Sequence, residues 1–453
     1  MAKFNLSDRG SFGSKFGVIA AAAGSAIGLG NIWRFPYVVG ENGGGAFLLI
    51  NLLCILLIGM PLMLSEFVIG RRAQRNAYGA FKKLAPGTPW FFVGLMGVVT
   101  AFVILSFYST VAGWTLEYVF KSVSNSFSGK NPEGLKTMFE SFVGSSWRPV
   151  LWQLLFLALT AGIVLSGVKK GIEKYSKILM PLLLVLIIAL CVRSVTLPGA
   201  VKGLEFLFKP DFSKVTGRVI LEALGQAFFS LSIGMGALIT YGSYIGKKDN
   251  LTSSAVIVSF SDTFIAILAG VAIFPAVFAF GINPAEGPEL VFLTLPNIFL
   301  QMPGGYFFSI LFFILLLVAA LTSSISVLEV VVAYFVEEIN MNRKSATWIA
   351  TLSIAFMGVF CTLSQGALPG LRIGSMNLFD VMDFTSSKIL LPFGGFLIVL
   401  FIGWYLKPRE TKAELSNEGT LHLPLFNLFL IIVRFVAPVA IAMVFLYSIG
   451  LIG

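Results

Sequence analysis

Gly24-Ser25-Ala26-Ile27-Gly28-Leu29-Gly30-Asn31 and Ser230-Leu231-Ser232-Ile233-Gly234-Met235-Gly236 each interrupt a stretch that is otherwise apolar. Both contain Ile-Gly-x-Gly, and they lie in different halves of the chain. Glycine weakens a helix and frees backbone polar groups. In hydrocarbon a freed amide or carbonyl is costly unless it is buried in protein or bonded to something. Corresponding breaks in two halves therefore point to a binding site near the bilayer midplane, at the interface of two repeats.

The composition around these breaks agrees with a membrane setting. The 453 residues are 57% hydrophobic and 12% charged, with a mean hydropathy of +0.90. That excludes a soluble globular chain. The net charge of +10 does not indicate nucleic-acid binding, because Lys and Arg cluster in short loops between apolar runs. Cys54, Cys191 and Cys361 are isolated within such runs and read as small core residues. No cleavable signal peptide and no soluble domain are visible.

A helical crossing needs about 20 apolar residues. Eleven spans are expected, beginning near Lys15, Gly45, Trp90, Trp147, Tyr175, Arg218, Leu251, Gly305, Ala346, Asn377 and Leu423. Basic segments at 71–83, 169–177, 247–248, 343–344 and 407–412 fall on the same side as Lys3, Arg9 and Lys15 if spans alternate. That side is expected to be cytoplasmic, which leaves the C-terminus outside. Residues 122–147 read as a Ser-, Gly- and Asn-rich outer loop. Residues 282–304, with four prolines, read as a structured outer loop or lid, or as a plain connector.

The fold expected is an all-α polytopic membrane protein. Residues 1–200 hold the N-terminal region and a first five-helix repeat, 201–412 a second, and 413–453 an added eleventh span. Five is odd, so the two repeats must be inverted relative to each other, with spans 1 and 6 discontinuous.

Span 1 continues Asn31-Ile32-Trp33-Arg34-Phe35-Pro36-Tyr37 and then Glu41-Asn42-Gly43-Gly44-Gly45-Ala46-Phe47. With Gly225-Gln226-Ala227-Phe228-Phe229-Ser230-Leu231-Ser232 and Leu321-Thr322-Ser323-Ser324, this resembles the neurotransmitter:sodium symporter family over nearly the whole chain. The resemblance implies a leucine-transporter-like fold and uptake of an amino acid with sodium. The broken helices agree with it, because half-helix N-termini attract a carboxylate and half-helix C-termini a cation.

The resemblance also implies site residues. A first sodium site would use the Ala26 carbonyl, Asn31, Ser230 and Asp262, together with a substrate carboxylate oxygen. Asp262 stands out independently as a carboxylate in an apolar span, where such a group is functional by default; Ser261 is the rival for its place. A second sodium site would use carbonyls of Gly24, Ile27 and Ala319 with the hydroxyls of Thr322 and Ser323. Backbone from Ala26 through Gly28, Leu29 and Gly30 would cradle the substrate carboxylate, with the Tyr108 hydroxyl bonding it. Ile104, Phe229, Ser230, Ser232, Met235, Ser323 and Val327 complete the substrate-binding set. Taken alone, the Tyr and the Thr-Ser-Ser run read first as interhelical packing groups; the resemblance reverses that preference.

Family members that carry monoamines place Asp where this chain has Gly28, so an amino acid with its own carboxylate is expected. Met235, flexible where a family member has Phe, favours a hydrophobic or aromatic side chain. Ala266 occupies the place of a serine that binds chloride in chloride-dependent members. A methyl group cannot donate a hydrogen bond, so no chloride requirement is expected. Outer gate residues would be Arg34 and Asp383, paired directly or through water; inner ones would be Arg9 and Glu337, with Phe12 in place of a family Trp. The implied setting is a prokaryotic inner membrane, with lipid and a small amino acid as partners, no nucleic acid, and a monomer or weak oligomer. A non-transporting receptor and a channel are the alternatives. An enzyme is not expected, because no metal cluster, nucleophile elbow or Walker A motif is present.

Overall fold

The computed structural model describes residues 10–281 and 291–451. Nine continuous helices among them are long and apolar enough to cross a bilayer: Gly45–Ala73 (span 2), Phe91–Val123 (span 3), Arg148–Leu165 (span 4), Val168–Val195 (span 5), Leu251–Ala279 (span 7), Gly305–Glu338 (span 8), Arg343–Ser364 (span 9), Leu378–Tyr405 (span 10) and Phe426–Ser448 (span 11). Span 1 is a bent pair, Lys15–Ala26 (1a) and Gly30–Glu41 (1b), meeting at 47°. Span 6 is Gly217–Ser230 (6a) and Ala237–Gly242 (6b), separated by residues 231–236. Both discontinuities coincide with the Ile-Gly-x-Gly elements.

Side-chain caps set where several spans begin. Ser14, Thr216, Asn250, Asn342 and Asn377 each accept a backbone N–H in the first turn of the helix that follows, satisfying donors that the helix cannot. Span 5 departs furthest from expectation, starting at Val168 rather than near Tyr175. Its first turns are π-helical, Val168–Glu173, and the exposed Lys169 and Lys170 that read as a loop lie on that end. Within 122–147, Pro132–Val143 is helical, with Asn131 accepting from the Gly134 amide at 2.8 Å. The proline-bearing segment 282–304 contains a helix, Thr294–Gln301; Pro284 and Pro288 lie outside the described residues.

Spans 3 and 8 form the centre. Of span 8's apolar window 67% is buried, against 33% for span 5, so span 8 packs on protein all round while span 5 presents much of its surface outward. Span 8 lies along span 3 and also touches 1a, 4, 5, 6b and 9. Spans 2 and 6b meet backbone to backbone. A Cβ on Gly242 would stand 3.0 Å from the Phe67 backbone, and one on Gly70 would collide with the backbone around Ile239. Small residues allow this approach in a membrane, where packing rather than water exclusion holds helices together. The two breaks thereby come to face each other and span 8.

Candidate functional site

Span 1a ends at Ala26, and the chain turns extended at Ile27 (φ −77°, ψ 104°). The last carbonyls of 1a are therefore left without intrahelical partners and carry the negative end of its dipole. In span 6 the break contains three left-handed residues, Ser232, Gly234 and Gly236, with φ of 55°, 87° and 76°. Serine in that region is strained by roughly 1–2 kcal/mol. Its hydroxyl offsets this by donating to the Ser25 carbonyl at 2.9 Å, which ties one break to the other.

Asn31, Ser230 and Asp262, from spans 1b, 6a and 7, converge in full burial. The Asn31 amide donates to Asp262 Oδ1 at 2.7 Å, to the Asp262 carbonyl at 3.1 Å and to Ser230 Oγ at 3.2 Å. Ser230 Oγ lies 3.0 and 2.9 Å from the two Asp262 oxygens. Asn31 Oδ1 accepts from the Gly28 amide at 3.1 Å, which folds the first break around the same point. Ser261 is turned away from this cluster, lining a groove between span 7 and residues of spans 1a and 5 such as Ala23 and Met180. No described ion pair involves Asp262, so its carboxylate has neutral donors and no counter-charge from the protein. A buried carboxylate in that condition fits a bound cation. Among the described residues there is no cluster of three His, Cys, Asp or Glu. The oxygens present are the hard type an alkali cation takes, unlike a transition-metal set. Ala26 is buried close by in sequence, at the end of 1a.

The second proposed set is brought together in part. Thr322 Oγ1 lies 3.4 Å from the Ile27 carbonyl and 3.0 Å from that of Ala319. A Cβ on Gly24 would stand 3.2 Å from Thr322 Cβ, so spans 1a and 8 touch there. Ser323 points elsewhere: its hydroxyl donates to the Ser25 carbonyl at 3.3 Å, sharing that acceptor with Ser232.

Tyr108 reaches the first break from span 3, its hydroxyl accepting from the Leu29 amide at 3.3 Å and lying 3.5 Å from the Ala320 carbonyl. Gly28 is the point of closest approach, where a Cβ would be 2.8 Å from Ser323 Cβ and 3.2 Å from the Tyr108 hydroxyl. At Gly30 a Cβ would meet the Phe229 ring at 3.1 Å. Ile104, Met235, Val327 and Ser232 are buried around this centre. Above it, Leu29, Tyr108 and Phe229 line a cavity with Arg34 and Asp383. No direct ion pair joins those two charges among the described residues; the Arg34 guanidinium instead lies 4.4 Å over the Phe229 ring.

At the other end Glu337 accepts from the backbone and side-chain amides of Asn76, at 2.8 and 3.0 Å. Arg9 lies outside the described residues. Phe12 packs edge-on against Tyr241 and Tyr244, with centroids 5.6 and 6.0 Å away.

Five buried carboxylates were not singled out from the sequence: Glu66, Glu117, Glu173, Glu329 and Glu414. Glu66, in span 2, accepts from the Gly234 amide at 2.7 Å and so holds the second break. Glu329, in span 8, takes two Arg343 nitrogens at 3.1 and 2.5 Å and the Tyr244 hydroxyl at 2.8 Å. Glu173 bonds the Gly13 amide at 2.6 Å and the Ser14 hydroxyl at 2.9 Å, fastening the start of 1a to span 5. The rule that picks out Asp262, an acidic group within an apolar span, applies to Glu66 and Glu329; Glu173 lies in the basic segment 169–177, where the rule gives no signal.

Two broken helices crossed at a buried, uncompensated carboxylate define an ion-coupled membrane transporter. Comparison with known proteins agrees. The model of the sodium:neurotransmitter symporter family matches residues 9–133 and 138–452. A sodium-dependent transporter of Bacillus subtilis, YhdH, is 44% identical, covering 97% of this chain and 98% of its own. One from Haemophilus influenzae is 38% identical, with 98% of both covered. The crystal structure of MhsT in complex with L-phenylalanine superposes with a TM-score of 0.90 at 50% identity, covering 97% of this chain and 100% of that one. The chain belongs to the sodium:neurotransmitter symporter family. It has the leucine-transporter-like fold and is a sodium-dependent membrane transporter, not an enzyme.

Proposed function

We propose that this protein imports hydrophobic or aromatic L-amino acids together with sodium, without chloride, by alternating access. The observation that carries the reading is the closed Asn31–Ser230–Asp262 cluster beside Gly28. The cluster supplies a fixed negative charge for a cation, and the glycine leaves no side chain to compete with a substrate carboxylate. MhsT, half identical in sequence, was crystallised with L-phenylalanine, which supports the same substrate class here. Sodium in the first set would take Asn31, Ser230, Asp262 and the Ala26 carbonyl; in the second, Gly24, Ile27, Ala319, Thr322 and Ser323, once the Ser323 hydroxyl leaves Ser25. Tyr108 and the amides of the first break hold the carboxylate, and Ile104, Phe229, Met235 and Val327 surround the side chain. Ala266 lies one helical turn beyond Asp262, is buried and offers only a methyl group, which supports chloride independence.

Spans 1, 2, 6 and 7 rock against the remainder, with Arg34 and Asp383 closing the outer side, and Arg9 and Glu337 the inner. Sodium and substrate stabilise one another, and that coupling is reciprocal. The basic loops support a cytoplasmic N-terminus and, with eleven spans, a C-terminus on the outer side of a prokaryotic inner membrane. The test is radiolabelled amino-acid uptake into proteoliposomes under inward Na⁺ or K⁺ gradients, with competing amino acids. Accumulation with Na⁺ alone, inhibited by apolar amino acids, is expected. Equal flux in both salts overturns the sodium coupling, and Na⁺-dependent binding without flux identifies a receptor.

A further inference from the structure

At the end of span 2 a guanidinium is buried far from the breaks. Arg71 is 1% exposed. Its Nε pairs with Glu414 at 2.6 Å, one Nη donates to the Asp249 carbonyl at 2.5 Å, and the other donates to Asn417 Oδ1 at 3.0 Å and to the Glu414 carbonyl. Glu414 is also buried and takes a second cation, Lys247, at 3.0 Å. Asn417 returns bonds to the carbonyls of Lys248 and Asp249, at 3.1 and 3.2 Å. Next to this, Arg72 pairs with Glu410 at 2.9 Å. Glu410 and Glu414 belong to a short helix, Pro408–Leu415, in the connection between spans 10 and 11. Residues 247–249 form the link between spans 6 and 7. One buried side chain thus fastens the 10–11 connection to both span 2 and the 6–7 link.

The backbone on either side of that helix is built differently. Span 10 ends in a π-helical turn, Phe401–Tyr405, followed by extended Lys407 (φ −64°, ψ 135°). After the helix come three consecutive left-handed residues, Asn417, Glu418 and Gly419, with φ of 49°, 57° and 92°. Element ends of this kind absorb the dihedral changes of a hinge. Pulling Glu414 off Arg71 would strand a buried charge, whereas turning at 405–407 or 418–419 leaves the partners of Arg71 in place.

We propose that the helix Pro408–Leu415, with Asn417, travels with the body formed by spans 1, 2, 6 and 7, and tethers spans 10 and 11 to that body through hinges at 405–407 and 418–419. This rests on the rocking motion proposed above. Spin labels at Lys412→Cys, Lys248→Cys and Lys344→Cys, with the three buried native cysteines replaced by alanine, test it in the full-length protein. Distances are measured by pulsed electron resonance with Na⁺ plus L-phenylalanine and again without Na⁺. The expected result is that 248–344 and 412–344 shift together while 412–248 stays constant. A shift in 248–344 with 412–344 constant overturns the tether alone. No shift in 248–344 under either condition overturns the rocking and the tether together.

The variant Glu414→Gln gives a second readout. Hydrogen exchange across 408–421 is expected to accelerate by about tenfold or more, with Na⁺-dependent substrate affinity unchanged. Should that variant not fold, Lys247→Ala, which keeps the Arg71 pair, is expected to give a smaller acceleration in the same segment. Exchange unchanged in the folded variant overturns the proposal.

Discussion

Replacing Asp262 by Asn is the sharpest test of the cation reading. The substitution preserves shape and keeps an oxygen for Ser230 and for a cation, but removes the charge. The donors stand 2.7, 3.0 and 2.9 Å from the carboxylate oxygens, so a cation held by the same groups lies within about 4 Å of the charge. At an effective dielectric constant near 20 that attraction is about 4 kcal/mol. The amide oxygen still ligates and the buried carboxylate's desolvation is relieved, so on the order of half is lost, about 2 kcal/mol, or roughly 30-fold in sodium affinity. Without sodium the sign reverses. The wild-type carboxylate is buried with no counter-charge, and the amide is expected to raise the melting temperature in K⁺ buffer. The assay is thermal unfolding in detergent across a Na⁺ titration at constant ionic strength, alongside substrate binding. The reasoning predicts crossed curves: Asn more stable at zero Na⁺, wild type more stabilised as Na⁺ rises. An Asn variant with the same Na⁺ response as wild type would refute the assignment of this carboxylate to a cation.

Further expectations follow from the same geometry. Gly28→Ala puts a methyl 2.8 Å from Ser323 Cβ and 3.2 Å from the Tyr108 hydroxyl; overpacking of about 1–3 kcal/mol is expected to appear as weaker amino-acid binding in equilibrium dialysis, with the fold retained. Tyr108→Phe removes the hydroxyl that meets the Leu29 amide and should weaken substrate binding roughly tenfold, by about 1.4 kcal/mol; unchanged affinity would remove Tyr108 from the site. Glu329→Gln leaves the Arg343 guanidinium without its carboxylate and is expected to cost on the order of 3 kcal/mol, read as a lower melting temperature that Arg343→Met in the same chain partly restores. Replacing chloride by gluconate should leave Na⁺-driven uptake unaltered, and loss of uptake would count against the reading of Ala266.

Much of this architecture is legible from composition and punctuation. A hydrocarbon layer demands long apolar helices, so ten of the eleven starts fall within three residues of those expected. The start of span 5 is placed too late because Lys169 and Lys170 extend from its helical end into the exposed zone. The helix Pro132–Val143 is missed because Ser, Gly and Asn dominate the segment around it, although Asn131 and Pro132 are a helix start by their chemistry.

The membrane class, the two broken spans and the Asp262 carboxylate can all be read from the residue order alone. Each is a local consequence: of apolar length, of glycine's cost in a helix, and of the penalty for charge in hydrocarbon. It takes the packed structure to show that Asp262 faces Asn31 while Ser261 faces the groove toward spans 1a and 5, that the Ser323 hydroxyl goes to Ser25, and that Glu66 holds the second break from span 2. Helices apolar on nearly all sides carry no periodic pattern that sets their rotation about the axis, so which side chain points inward is settled by packing against neighbours. The Arg71–Glu414 pair joins residues 343 positions apart, and nothing in either local sequence marks the other as its partner.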